Sequence, residues 1–200
     1  MPGPGAQSRR EQILLAAARL FRAHGYHGTS IDELGTAVGI SGPALYRHFP
    51  SKAAVLAALA ERGIDRMAEL VEDSRRSAEP TCALAGAVRA LVHRVRRDRD
   101  LAAVVLREAR HLAPELARPS QAARRRLDRA LLALLLEARP ELGADQARLL
   151  VAAFYGLLTL PLAHRSQLGE RQFEDLLVAA AMSGLGAGEG ERDGDGDGAS

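Results

Sequence analysis

The segment from Thr29 to Lys52, TSIDELGTAVGISGPALYRHFPSK, constrains the fold of this 200-residue chain more than any other. Ser30 suits the N-cap of a short helix, and Glu33 stands three residues later, at the capping-box position. Gly39 indicates the end of that helix, because glycine adopts a left-handed conformation at no steric cost. A serine and a proline then predict a second helix at about Gly42 to His48. The segment therefore predicts two short helices joined by a tight turn.

Two helices joined by a glycine-bearing turn form a helix-turn-helix, whose second helix fits the major groove of DNA. The stretch GTSIDELGTAVGISGPALYRHFPSK resembles the DNA-binding signature of TetR-type transcriptional regulators, because its glycine, proline, aromatic, His-Phe and lysine positions match in order. The resemblance is close over about Ser8 to Leu59, and beyond it only the length and the helical pattern match. It implies an all-α fold with an N-terminal three-helix DNA-binding domain containing the helix-turn-helix. A C-terminal helical ligand-binding and dimerisation domain follows, for about nine helices in total.

The remainder of the chain also indicates helices. Apolar residues make up 47% of it and aromatic residues only 4%, and this Ala- and Leu-rich composition favours helices over strands. Helices are predicted at about 9–24, 51–77, 81–97, 100–112, 120–139, 144–165 and 170–183, with breaks at Pro80, Pro114, Pro119 and Pro140. The predicted domains are a disordered arm (1–8), a helix-turn-helix domain (9–52), a ligand-binding and dimerisation domain (53–183) and a disordered acidic tail (184–200).

Charge is unevenly distributed along the chain. Residues 1–60 carry 6 Arg or Lys against 3 Asp or Glu, residues 61–139 carry 17 against 12, and residues 140–200 carry 4 against 10. The basic excess therefore begins with the DNA-binding motif and continues beyond it. The single cysteine, Cys82, cannot form an internal disulfide, and the longest charge-free apolar run, 149–163, is shorter than the roughly 20 residues that span a bilayer. We expect a cytoplasmic protein with no membrane partner.

The predicted DNA contacts fall into two groups, since phosphate contacts position a protein and base contacts specify the sequence. The resemblance implies phosphate contacts from Thr29, with Ser30 beside it, and from Tyr46, His48 and Lys52. Base readout is expected of Ser41, Gly42, Pro43, Ala44 and Arg47, although Arg47 can equally bind phosphate. Lys52 is the only lysine of the chain, which suggests a specific need for a compact ammonium group.

Glu108 falls inside the apolar stripe of the helix predicted at 100–112. A carboxylate on such a face must be paired, hydrogen-bonded or turned into a cavity. Two interpretations follow: a ligand pocket, or an internal salt bridge to an arginine. The candidate pocket residues are mostly apolar, so we expect a small, largely apolar effector such as a fatty-acyl or drug-like compound. They are Met67, Leu91, Val105, Glu108, His111, Phe154 and Leu158.

The helix predicted at 144–165 has almost no polar face. A helix that is apolar all round must be covered all round, on one side by its own core and on the other by a partner subunit. A homodimer also suits a protein whose two reading helices bind half-sites about 34–36 Å apart. The candidate interface residues are Leu150, Val151, Tyr155, Leu158, Phe173, Leu177 and Ala180, on helices that the resemblance also assigns to dimerisation.

The leading hypothesis is a ligand-responsive repressor that binds a palindromic operator as a homodimer and is released by its effector. An activator of the same family is the alternative, and an all-helical enzyme or a ligand carrier would leave the segment 29–52 unexplained. The sequence contains no nucleophile elbow, P-loop or HExxH motif, and Gly25 separates His24 from His27. We therefore predict no catalytic residue, no metal site and no cofactor.

Overall fold

The computed structural model describes residues 8–77, 79–163, 167 and 169–186. Those residues form nine α-helices and no strand, which confirms the predicted all-α fold. The helices are α1 (Arg9–His24), α2 (Ile31–Ala37), α3 (Gly42–Tyr46), α4 (Lys52–Ser77), α5 (Pro80–Arg97), α6 (Arg99–Ala109), α7 (Pro114–Ala138), α8 (Ala144–Ala163) and α9 (Glu170–Gly184). The arm predicted at 1–8, apart from Ser8, and the tail from residue 187 onward lie outside the described residues.

Local hydrogen bonds set the ends of the first helices. The Ser8 hydroxyl accepts from the Glu11 amide at the start of α1, and Gly25 ends that helix at a φ of 77°. Ser30 and Glu33 form the predicted capping box at the start of α2. Gly39 has the predicted left-handed conformation, with a φ of 70°. Each of these bonds joins groups that are no more than four residues apart in the chain. The sequence can therefore indicate them.

Several predicted helix boundaries were wrong. Pro80 and Pro114 are the first residues of α5 and α7 rather than breaks before them, because the missing N–H of proline costs nothing at that position. Thr81 therefore does not cap α5, and α7 begins six residues before the predicted Ser120 and contains Pro119. Helix α3 ends two residues early, at Tyr46, and α6 ends three residues early, at Ala109. The last two residues predicted for α8, 164 and 165, lie outside the described residues.

Two separate hydrophobic clusters hold the molecule together. The N-terminal cluster is formed by α1, α2, α3 and the first half of α4, and includes Phe21, Leu34, Leu45 and Leu56. The C-terminal cluster is formed by the second half of α4 with α5, α7, α8 and α9. Because α4 contributes Leu56 to the first cluster and Val71 to the second, it connects the two domains mechanically.

Helix α6 belongs by sequence to the C-terminal domain but packs on the N-terminal one. Its apolar residues Leu101, Val104 and Val105 lie against the N-terminal cluster. The helix contacts α1 and α4 on that side and α8 on the other. It therefore forms a second connection between the domains, beside α4.

Candidate nucleic-acid interface

The turn between α2 and α3 depends on a close backbone approach at Gly35. A β-carbon at Gly35 would lie 2.7 Å from the carbonyl oxygen of Ile40, closer than real contacts allow. The Ile40 amide in turn donates to the Gly35 carbonyl at 3.0 Å. Leu45 is fully buried and fixes α3 against the cluster beneath it. The position of α3 is thus set by a glycine contact on one side and a buried leucine on the other.

The outward face of α3 and the residues just after it are free of internal partners. Tyr46 is 52% exposed, and Pro43, Arg47 and His48 are also exposed. The side chains of Tyr46, Arg47 and His48 make no hydrogen bond or ion pair with any other part of the chain that the structure describes. This face therefore presents one phenol, one guanidinium and one imidazole to solvent, all of which can donate to nucleic acid.

The smaller predicted residues of the interface have mixed environments. Ser30 and Ser41 are exposed, and their hydroxyl oxygens accept from the amides of Glu33 and Ala44. The Ser41 hydroxyl still has its own proton to donate, whereas the Ser30 hydroxyl also bonds to the Glu33 carboxylate. Ala44 is half-buried, but Gly42 is buried where α3 approaches the Asp32 side chain. A side chain at Gly42 would meet only the carboxylate end of Asp32, which can move aside.

Thr29 and Lys52 have internal partners, which the sequence did not indicate. Thr29 is only 1% exposed, and its hydroxyl donates to the Gly25 carbonyl at 2.9 Å. The Lys52 ammonium donates to the carbonyls of Tyr26 and Thr29, at 2.8 and 2.7 Å. These bonds use the Thr29 hydroxyl and two of the three Lys52 protons to hold the loop between α1 and α2. A compact ammonium with three donors suits two converging carbonyls.

Tyr26 is a component of this loop that sequence analysis missed. Its ring lies edge-on to Phe21 at 5.3 Å, and the Lys52 ammonium lies 4.5 Å from the ring centre. Partial burial, with a smaller contribution from the Glu108 carboxylate, raises the pKa of the Tyr26 phenol. A single aromatic residue in a loop has no periodicity, so no sequence pattern indicates this contact.

Glu108 lines a cleft, and its ion-pair partner differs from the one expected from the sequence. Its Oε2 lies 3.1 Å from Nε2 of His27, in the loop between α1 and α2. The Glu108 side chain is only 15% exposed, whereas His27 is 81% exposed. The pair joins α6 to the DNA-binding domain, and the partner is a histidine rather than the arginine expected.

The structure does not bring the seven candidate pocket residues together. Leu91, Phe154 and Leu158 are buried in the C-terminal cluster with Met67 against them, whereas Val105 packs on the N-terminal cluster. Glu108 and His111 border a cleft of about 460 Å³ between the domains. The reason is the orientation of α6, whose apolar stripe is turned toward α1. Three other surface clefts have volumes of about 510 to 980 Å³. None of the three is lined by Met67, Leu91, Phe154 or Leu158.

The candidate dimer residues are also divided. Val151, Leu158 and Leu177 are buried in the cluster of their own subunit, and Leu150 and Phe173 are partly buried against it. The Tyr155 hydroxyl donates to Asp128 at 2.7 Å, under the guanidinium of Arg124, and burial raises the pKa of this phenol above its ordinary range. Ala180 alone of the seven is exposed.

A different face of α8 and α9 exposes the apolar surface. Leu149 is 70% exposed, Leu160 44% and Leu176 58%. Small exposed residues lie between them at helical spacing. We call this surface the α8–α9 strip; it consists of Leu149, Ala152, Ala153, Gly156, Leu160, Leu176, Ala179 and Ala180. Most of the candidate interface residues lie on the inward face of these helices, and the sequence could not distinguish the two faces because both are apolar.

Metal-ligating side chains are scattered in the part of the chain that the structure describes. No group of three or more His, Cys, Asp or Glu side chains among those residues is placed to hold a metal ion. None of the described helices combines the length and the apolarity needed to cross a membrane.

An exposed short helix on a glycine-dependent turn, connected through a long helix to a second helical domain, defines a helix-turn-helix protein of the DNA-binding regulator class. The chain belongs to the TetR family of bacterial regulatory proteins. The pattern described as "Bacterial regulatory proteins, tetR family" matches residues 13–59, and the one described as "Tetracyclin repressor-like, C-terminal domain" matches residues 77–163. As predicted, these are families of regulators and not of enzymes.

Curated relatives match about a third of the chain. The chain is 38% identical over 69 residues to the HTH-type transcriptional activator FasR of Mycolicibacterium smegmatis, a match covering 34% of this chain and 32% of that protein. It is 41% identical over 66 residues to the HTH-type transcriptional repressor AcnR of Corynebacterium diphtheriae, covering 33% and 35%. The matched segment thus spans about a third of the length of these relatives.

Solved structures match nearly the whole fold. The TetR family transcriptional regulator PfmR from Thermus thermophilus superposes with a TM-score of 0.72 at 26% identity, covering 87% of this chain and 97% of that one. AibR in complex with isovaleryl coenzyme A and operator DNA superposes with a TM-score of 0.71, covering 86% and 97%. Because AibR is only 23% identical, its likeness establishes the fold alone.

Proposed function

We propose that this protein regulates transcription by binding a palindromic operator through α3. The observation that carries the proposal is the outward face at Tyr46, Arg47 and His48, whose donors have no internal partner in the described chain. In the free protein these donors bond only to water and add nothing to the stability of the fold. In the major groove they can bond to phosphates and base edges. Arg47 suits guanine or phosphate, and Pro43 suits the methyl group of thymine.

The operator is bound by a homodimer formed through the α8–α9 strip. A row of small residues flanked by leucines lets two helices approach closely and bury apolar area on both sides of a two-fold axis. Leu149, Leu160 and Leu176 are the large apolar side chains that this contact would cover. Dimerisation supplies the second reading helix, because a single helix contacts only a few base pairs.

A small, largely apolar effector controls the release of DNA by entering the C-terminal cluster. Met67, Leu91, Phe154 and Leu158 meet there on α4, α5 and α8. Since these residues pack on one another, the effector must separate them and so favours a second arrangement of α4. A ligand shifts such an equilibrium only by the difference between its affinities for the two states. Helix α4 carries the change to the N-terminal cluster, to which it contributes Val55 and Leu56.

The direction of regulation is a separate question. AcnR is a repressor and FasR an activator, and both match about a third of this chain. We propose repression, with a transcription reporter carrying the operator as the test. Loss of reporter output on expression of the protein supports repression, and a gain identifies an activator.

The first experiment is binding to the DNA immediately upstream of the protein's own gene, by fluorescence anisotropy with excess random competitor. Tyr46→Phe and Arg47→Gln remove donors from the proposed reading face. Arg19→Gln removes an exposed arginine from α1 of the same domain and is the matched control. Competitor-resistant binding that weakens in the first two variants and persists in the third supports the proposal. If neither this DNA nor a random-sequence selection yields specific binding, the proposal is wrong.

A further inference from the structure

The helix-turn-helix itself has little net positive charge. Residues 29–52 contain two basic side chains, Arg47 and Lys52, against two acidic ones, Asp32 and Glu33. Lys52 already donates to two carbonyls. Because charge neutralisation of phosphates supplies essentially all of non-specific DNA affinity and much of the specific affinity, this unit is poorly equipped by itself.

The strongest basic region of the chain lies instead from the end of α5 to the first half of α7. Residues 94–129 contain 11 arginines against 5 Asp or Glu. Within the part of the chain that the structure describes, six of these arginines have neither a hydrogen bond nor an ion pair from the side chain: Arg97, Arg99, Arg107, Arg110, Arg118 and Arg125. Unpaired arginines at this density repel one another and destabilise the folded state, unless a bound anion neutralises them.

Two of these arginines lie beside the DNA-binding domain. Arg107 and Arg110 are exposed and line the 460 Å³ cleft between the domains. The opposite wall of that cleft includes Tyr26, His27 and Ala53. The loop that carries His27 leads directly into α2, and Ala53 lies in the first turn of α4. The arginines therefore border the edge of the helix-turn-helix unit.

The cleft keeps an excess of positive charge, because the residues that line it include two arginines and one acidic residue, Glu108. Glu108 is largely buried and is paired with His27 at 3.1 Å. This pair also joins α6 to the loop before α2, so the backbone that carries Arg107 is held close to the reading unit. The exposed side chains among the residues that line the cleft include Arg107, Arg110, His27 and His111, all of which are basic or can be protonated.

We propose that Arg107 and Arg110 form an accessory phosphate-contact site that extends the DNA footprint beyond the helix-turn-helix. They bind the sugar-phosphate backbone that flanks each half-site, and they contribute affinity without sequence preference. This inference rests on the DNA-binding function proposed above. It assigns to the C-terminal domain a direct part in DNA binding, in addition to effector binding and dimerisation.

The test compares two operator duplexes, one trimmed to the palindrome and one extended by about 10 base pairs, one helical turn, on each side. The protein variants are Arg107→Gln with Arg110→Gln, and the control Arg97→Gln with Arg125→Gln. The control removes the same charge from two exposed, unpaired arginines that do not line the cleft. Affinity for each duplex is measured at about 50 and about 200 mM salt, a range over which each phosphate contact changes affinity roughly threefold.

The proposal predicts that the Arg107/Arg110 variant loses affinity for the extended duplex but not for the trimmed one. For the extended duplex, the slope of the logarithm of the binding constant against the logarithm of the salt concentration becomes shallower by about one for each arginine removed. The control variant should lose much less on either duplex. Equal losses on both duplexes, or equal losses in both variants, would overturn the proposal in favour of a general charge effect. If the unmodified protein binds neither duplex specifically, the proposed regulatory function fails instead, and the two failures are thereby distinguished.

Discussion

The helices of the DNA-binding unit and those of the C-terminal domain begin in different ways. Helices α1, α2, α3 and α4 each follow a serine whose hydroxyl accepts from a backbone amide of the first turn: Ser8, Ser30, Ser41 and Ser51. Helices α5, α6, α7 and α9 follow Glu79, Asp98, Ala113 and Gly169, and none of these has a side-chain cap bond. The first region is therefore defined by local bonds, and the second mainly by burial.

From this difference we expect the N-terminal unit to be the more rigid of the two regions. Short helices of five and seven residues are unstable alone, so caps and a fixed turn must hold them. The longer C-terminal helices gain their stability from the shared apolar cluster, which can repack around a ligand. Substitutions confined to one region should therefore have effects that the other region does not share.

Phe21→Ala should destabilise the N-terminal unit by about 3–5 kcal/mol, because it empties a fully buried site in the smaller cluster. Amide hydrogen exchange followed by mass spectrometry should show faster exchange in α1, α2 and α3. Protection in α5 and α9 should be retained, since they belong to the other cluster. Uniform loss of protection throughout the chain would mean that the two clusters unfold as one unit.

Gly35→Ala should cost about 1–3 kcal/mol, because the added carbon must displace the Ile40 backbone. Gly63→Ala, in the middle of α4, has no atom within 4 Å of the new carbon and should stabilise the protein by about 0.5–1 kcal/mol. Both effects are measured as shifts in the midpoint of denaturant unfolding. A shift reports a change in stability if the m-value is unchanged. Equal effects of the two substitutions would contradict the assignment of Gly35 to a close backbone contact.

Lys52→Met should lower stability by about 1.5 kcal/mol, because the Tyr26 and Thr29 carbonyls lose a charged donor. Tyr46→Phe should leave stability unchanged and weaken only DNA binding, since its hydroxyl has no internal partner in the described chain. Thermal unfolding and anisotropy on the same samples separate the two roles. A Lys52→Met protein of unchanged stability but weak DNA binding would support the predicted phosphate contact of Lys52 instead.

The capping box should give a small stability change at low pH. The Ser30 amide, and then its hydroxyl, lower the pKa of the exposed Glu33 carboxyl by bonding to its charged form. The pKa of Glu33 is thus lower in the folded state than in the unfolded state. The stabilisation is present at pH values above the ordinary pKa of glutamate, about 4.3. It is lost as the pH falls through the pKa that Glu33 has in the folded state. Glu33→Gln should therefore show a smaller loss of thermal stability between about pH 5 and pH 3 than the unmodified protein. Glu61→Gln is the control and should behave like the unmodified protein.

Much of the reading unit could be predicted from sequence, because its signals are short-range. Ser30, Glu33 and Gly39 act on groups within four residues, so their roles follow from spacing alone. The environments of Thr29 and Lys52 could not be predicted in this way. The Lys52 bonds depend on how the loop after α1 folds back on the start of α4, since Lys52 lies 23 residues from Thr29. The Thr29 hydroxyl bonds only four residues back, to Gly25, but its burial depends on the same folding of the loop.

The C-terminal domain shows the same limit on a larger scale. The apolar stripes predicted its helices, but α8 is apolar on several faces, so spacing could not tell the inward Val151 and Leu158 from the outward Leu149 and Leu160. Nor could a sequence stripe show that Val105 would pack against α1, because the crossing of one helix on another depends on every side chain at the contact.

The sequence by itself determined the all-helical class, the helix-turn-helix and its caps, since these rest on backbone geometry and hydrogen bonds between neighbours in the chain. Only the tertiary structure decided which surfaces remain for partners. It showed that Lys52 binds the protein's own backbone, that Glu108 pairs with His27, and that Arg107 and Arg110 stay unpaired within the described chain. Pairing and exposure depend on distances between residues far apart in sequence, and the packing of the helices fixes those distances.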